Sequence, residues 1–301
     1  MMQGPDRLAT VIRNPHGGMR IRVTPRKKPS AWKKWPIIRG VLAFASSMVT
    51  GCSILMYSAE VLEDFEKEGP VEKKQEKDKM TLFLEKHFGE KGALNVMLYA
   101  SVVFAIAFTV GIFIILPTVI INFARTLTEN DLLLNLMEGI LRIVLFVGYV
   151  SVIAKMEEIR RVFQYHGAEH KCINCIEHGM ELNLENVKKS SKQHKRCGTS
   201  FLFFVMIVSV IVCFFITVDS KILRIVLRLA LLPVIAGISY EIIKLAGNSS
   251  HPLVELLSKP GLAMQNLTTK EPEDDMIEVA IKAVEEVFDW KTYLKENFKE
   301  K

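Results

Sequence analysis

Thirty-three consecutive residues, 92–124, carry no charge. A helix of about 20 apolar residues crosses a bilayer core about 30 Å thick, so this run ties the chain to a membrane. Residues 197–218 form a second uncharged run, of 22 residues. Segment 132–154 is interrupted only by Glu138 and Arg142, and 222–243 only by Arg224, Arg228 and Glu241. Together they predict an all-α integral membrane protein with about four transmembrane helices.

Segment 37–62 is apolar but weaker, with Gly40, Gly51 and several Ser and Thr residues between Arg39 and Glu60. The distribution of cations decides how it is read. Lys155, Arg160, Arg161, Lys171, Lys188, Lys189, Lys192, Lys195 and Arg196 crowd one connecting region, and Arg20 to Lys34 is equally basic. Basic connections stay cytoplasmic. With four spans both basic regions fall inside, whereas a fifth span at 37–62 would force them to opposite sides. That segment is therefore expected to be re-entrant or interfacial. The expected placement is the cytoplasmic (inner) membrane, multi-pass, with both termini cytoplasmic, and no apolar signal-peptide region is seen in residues 1–35.

The organisation that follows is a basic N-terminal segment (1–36), the re-entrant or interfacial helix (37–62) and a charged linker or helix (63–91). Spans one and two (92–155), a cytosolic His/Cys loop (156–199), spans three and four (200–247) and a C-terminal segment (248–301) complete it. Ala9–Arg13 and Met19–Val23 flank a Gly-containing turn and predict a small N-terminal β-hairpin. Met276, Val279, Ala280, Ala283, Val284, Val287 and Phe288 recur at helical spacing after Glu271-Pro272 and predict an amphipathic helix.

The formal charge of +6 and pI near 9.0 do not point to nucleic acid. The cations flank membrane segments, where orientation and attraction to anionic lipid account for them. Five cysteines, three of them in a cytosolic loop, do not form a disulfide framework.

The chemistry is concentrated in 165–200. His166 and His170 are four apart, hence on one helix face and able to reach a single ion. Glu169 between them makes the pattern H-x-x-E-H, the inverse of the zinc-peptidase motif, with the glutamate placed as general base. His194 and Cys197 lie downstream, and Cys172, Cys175 and His178 crowd the same 32 residues. One ligand set is His166, His170, His194 and Cys197. With either His194 or Cys197 outside the shell, three ligands and a water would make a catalytic site. The competing set pairs Cys172-x-x-Cys175 with His194-x-x-Cys197 as a structural zinc knuckle. Inverted zinc peptidases add a glutamate ligand, for which Glu177, Glu181, Glu185 or Glu241 are available. Zinc is the expected cofactor for such a mixed N/S set.

His-Gly-Ala-Glu-His-Lys at 166–171, Glu185-Asn186-Val187, Arg196-Cys197-Gly198-Thr199-Ser200-Phe201-Leu202, the stretch from Leu231 to Glu241 and that from Pro260 to Pro272 together resemble the YqhQ-like bacterial membrane proteins. So do Met1-Met2-Gln3-Gly4-Pro5 and Arg39-Gly40. The resemblance covers nearly the whole chain and implies an inner-membrane protein of unassigned function, described as a predicted metal-dependent enzyme. The family pattern begins with a glycine-rich segment before the Met-Met, so either the start is placed short or that segment is dispensable here, and relatives tend to carry Thr where this chain has Cys172. The second departure weakens the knuckle and favours the first ligand set.

Charged groups inside spans are costly and usually paired. Glu138 and Arg142 are spaced to pair on one helix face; Arg142 and Arg228, expected at similar depth, either line a polar pocket or snorkel and pair, and Arg224 is a further ionisable residue within a span. Glu241, near the cytoplasmic end of the last span, is a candidate ligand, proton relay or partner of Arg196. Pro117 and Pro233 are candidate kinks. The function expected is a membrane-embedded, cytosol-facing zinc protein that hydrolyses a membrane-associated peptide or lipid. The alternative is a non-enzymatic scaffold whose structural zinc holds a surface for a cytosolic or lipid partner. Membrane lipids are the expected partners, with oligomerisation open.

Overall fold

The computed structural model describes residues 1–15, 17–26, 35–68, 79–128, 130–215, 218, 221–249 and 251–298. Two compact units divide the chain: Met1–Leu62 with Val147–Lys301, and Glu63–Phe146.

The first unit opens with a three-stranded antiparallel sheet of β1 (Met2–Gln3), β2 (Arg7–Arg13) and β3 (Met19–Pro25). The expected hairpin is present, in a register that pairs Val11 with Ile21 and Ala9 with Val23. β1, of two residues, is too short to leave a periodic signal in the sequence. Ala9 and Val11 lie in one core with Ala168, Cys172 and Cys175 of α5 (Glu157–Glu177) and with Ile277, Ala280 and Ala283 of α10 (Asp274–Glu285). The C-terminal apolar stripe is thus a packing face. Asp274 and Asp275 occupy the first turn of α10, where they favour the helix dipole, and they pair with Lys188 and Arg13.

α6 (Leu184–Lys189) and α11 (Trp290–Phe298) close this core through Val187 and Leu294. α7 (Gly198–Phe214), α8 (Lys221–Asn248) and α9 (Pro252–Thr268) form the apolar part of the unit, in which Phe201, Phe204 and Ile243 cluster. Pro233 lies inside α8, and the helix continues through it. α1 (Ile38–Glu68) is a single helix of 31 residues.

The second unit holds α2 (Lys79–Val110), which breaks at Gly89, a π-helical turn at Gly111–Ile115, α3 (Leu116–Ala124) and most of α4 (Asp131–Ile153), whose end from Val147 belongs to the first unit. Pro117 stands at the start of α3, where its missing N–H follows the π turn. Glu138 and Arg142 form the expected ion pair on α4. The side chains of Arg224 and Arg228 lie outside the described residues.

Among the described residues, four helices are long and apolar enough to cross a membrane: Ile38–Phe65, Tyr99–Ala124, Leu132–Ile153 and Ala230–Asn248. This set differs in composition from the sequence expectation. α7 is 17 residues long, about 25 Å at 1.5 Å per residue, and α1 qualifies in its place by length and composition. The charged segment 63–91 is shared between the end of α1 and the start of α2, and its residues 69–78 lie outside the described ones.

Candidate metal centre

α5 supplies the centre because its inward face is polar where an amphipathic helix would be apolar. Its buried residues include Gly167, Ala168, His170, Lys171, Cys172, Asn174 and Cys175. Four-residue spacing sets His166 beside His170, ring centroids 4.4 Å apart. Cys197 arrives from the other side as N-cap of α7, its Sγ accepting from Thr199 N. Donor atoms of His166, His170 and Cys197 all lie within 4.8 Å of one another, and Cys197 Sγ is 3.3 Å from His166 Nε2. Tetrahedral zinc, with bonds of about 2.0–2.3 Å, needs donors about 3.5 Å apart.

Backbone carbonyls fix the rings. His166 Nδ1 lies 3.0 Å from the Thr268 carbonyl and His170 Nδ1 2.7 Å from that of Lys192. A carbonyl only accepts, so each Nδ1 carries the proton and each Nε2 keeps its lone pair for the centre. This is the outer support that metal-binding histidines ordinarily have.

The segment that carries the Lys192 carbonyl is held by side chains that sequence spacing does not single out. Lys171 Nζ, almost fully buried, donates to Lys188 O and Ser190 O at 3.0 and 2.9 Å and pairs with Glu271. Asn174 donates to Ser191 O and Gln193 O. Gln265 clasps His194 at both its N–H and its carbonyl. Residues 188–194 are thus a strap stitched to α5 and α9 through its own carbonyls. The legible signal is a lysine and an asparagine on the buried side of α5. Gly167 lets the chain after α9 come close, since a Cβ there would collide with Lys270 O.

His194 lies beside these residues but outside the cluster. Its Nε2 meets Glu177 Oε2 at 3.1 Å and its Nδ1 accepts from Arg196 N. Of the first ligand set, three residues converge and the fourth pairs with Glu177. Cys172 and Cys175 lie in the apolar core, so the knuckle's four residues are not brought together. Burial pushes both of those thiols up. Glu177 is held low, chiefly by the hydrogen bond from His194. Glu169 Oε1 accepts from the Met1 amino group at 2.7 Å. Glu241 pairs with Arg39, not Arg196, which donates to Gly247 O.

Burial by itself would raise the Cys197 thiol, but hydrogen bonds and charge from His166 and His170 outweigh it and bring it down to about 5. His166 is opposed by its own burial, yet Cys197 and the Thr268 carbonyl raise it to about 8. Without metal the pair is a thiolate and an imidazolium.

No solved structure matches the chain. It is 33% identical over 291 residues to the uncharacterised protein YqhQ of Bacillus subtilis (strain 168), covering 95% of this chain and 88% of that protein. The family model described as a protein of unknown function, DUF1385, matches residues 35–290. The chain belongs to the DUF1385 family.

Proposed function

We propose that this membrane protein is a zinc-dependent hydrolase acting on an ester or amide of a membrane-associated peptide or lipid. The supporting observation is the convergence of His166 Nε2, His170 Nε2 and Cys197 Sγ, with both Nδ1 atoms committed to backbone carbonyls. Two imidazoles and a thiolate suit zinc, and three protein ligands leave a position for water. A bound ion would supply Lewis acidity and lower the pKa of water. Glu169, on the same turn as His166 and His170, is the carboxylate proposed to take the proton. Thr199 Oγ1, 3.1 Å from Cys197 Sγ and hydrogen-bonded to Thr268, holds the thiolate in place. Cys197 begins an apolar helix, which favours a substrate that reaches the site from a membrane surface.

The test is metal content of full-length protein purified in detergent without chelators. About one zinc per chain is expected, lost in His166→Ala, His170→Ala and Cys197→Ser and retained in Cys175→Ser and His194→Ala. Glu169→Gln should keep zinc and lose hydrolysis of a medium-chain p-nitrophenyl ester in mixed micelles. Zinc with undiminished ester hydrolysis in Glu169→Gln would remove that residue's role; zinc with no hydrolysis in any variant would favour the scaffold. A wild type free of metal would overturn the reading.

A further inference from the structure

We propose that α1 does not cross the membrane but begins inside it beside α8 and runs out on the metal-site side. By length and composition α1 could cross, but its contacts within the first unit run in the wrong direction for a crossing.

Arg196 of the site reaches Gly247 O, so the site end of α8 is at Gly247. α1 does not begin at that level. A Cβ on Gly237 would lie 2.7 Å from Ile37 Cα, and one on Gly40 would lie 2.6 Å from Tyr240 Cβ. Only glycine on each side admits so close an approach. Gly237 is ten residues from Gly247, about 15 Å down the helix at 1.5 Å per residue. The first turn of α1 therefore sits well inside the apolar layer.

Arg39, in that turn, is paired through its guanidinium with Glu241, whose carboxylate also accepts a backbone hydrogen bond from Ile37. Pairing is what allows two charges at such depth.

From there α1 climbs. Phe44 meets Phe201, one turn into α7 from Cys197, with ring centroids 5.4 Å apart. Tyr57 ends beneath Arg22 of β3, the guanidinium 4.5 Å from the ring centroid. β3 belongs to the sheet whose β2 shares a core with α5 and α10. A helix that crossed away from the site would carry Tyr57 toward the far end of α8. Here Tyr57 is on the side of the sheet. Met48, Val49, Leu55 and Met56 are exposed apolar side chains along this rising helix. This topology does not depend on the metal.

The experiment uses full-length protein in sealed, oriented membrane vesicles, with a membrane-impermeant maleimide and peptide mapping of the label. Leu62→Cys, beyond the turn that carries Tyr57, is compared with Glu296→Cys in α11. Modification of both from the same face is expected. Modification from opposite faces, or protection of Leu62→Cys from both, would overturn the proposal. Ala59→Cys repeats the measurement if the first variant fails to accumulate in the membrane.

Discussion

At His166 the ring nitrogen that meets Thr268 O decides what the other can do. Because that carbonyl holds the proton on Nδ1, Nε2 faces Cys197 either as a ligand or as half of an ion pair. Metal binding must then expel the His166 proton, raised to about 8, from a pair whose thiol is already ionised above about 5. Zinc affinity should rise about tenfold per pH unit toward 8 and flatten above it, because one proton leaves per ion bound. It should steepen below about 5, where the thiol must lose its proton too. Competition titration with a chromophoric chelator measures this; an unperturbed cysteine would carry the slope to about 8.5 instead. In metal-stripped protein at neutral pH, iodoacetamide should alkylate Cys197 ahead of Cys172 and Cys175, whose burial keeps them as thiols. Helical spacing makes His166 and His170 legible as a pair. It cannot tell that His194 turns to Glu177, since nothing in a separation of 24 residues fixes the direction of a ring.

Elements assemble the centre through main-chain atoms. The strap 188–194 and the last residue of α9 supply carbonyls, which every residue type has, so no sequence pattern announces them. Lys171 is the exception. Lys171→Met would leave two strap carbonyls without their buried donor and should lower stability by about 3 kcal/mol, read as a fall in thermal midpoint in detergent. Gly167→Ala should loosen the 268–270 turn and weaken zinc binding while the ligands stay in place. Arg39→Gln or Glu241→Gln alone leaves one charge stranded against α8; the double variant should recover much of either loss. The amphipathic α10 is readable because its partner surface is apolar and period alone specifies it. α1 is not, because hydropathy reports how apolar a helix is and not which way it runs.

At the scale of the molecule, the described residues combine four helices apolar enough to cross a membrane with a small sheet and a polar-cored α5. The uncharged runs make the membrane legible, while the strap's role depends on contacts between residues far apart in the chain. That strap grips α5 and α9 with carbonyls at 188, 190, 191, 192, 193 and 194. The cations of Lys189, Lys192 and Lys195 meanwhile form ion pairs with Glu185, Glu271 and Glu255 in which each carboxylate is exposed and the lysines are partly or wholly so. Exposed pairs of this kind contribute about 0–1 kcal/mol each. Replacing these three lysines with alanine should therefore leave zinc content and thermal midpoint nearly unchanged. The strap's outer face is thus free to change in charge and shape, because the bonds that hold it run through main-chain atoms that every substitution leaves in place.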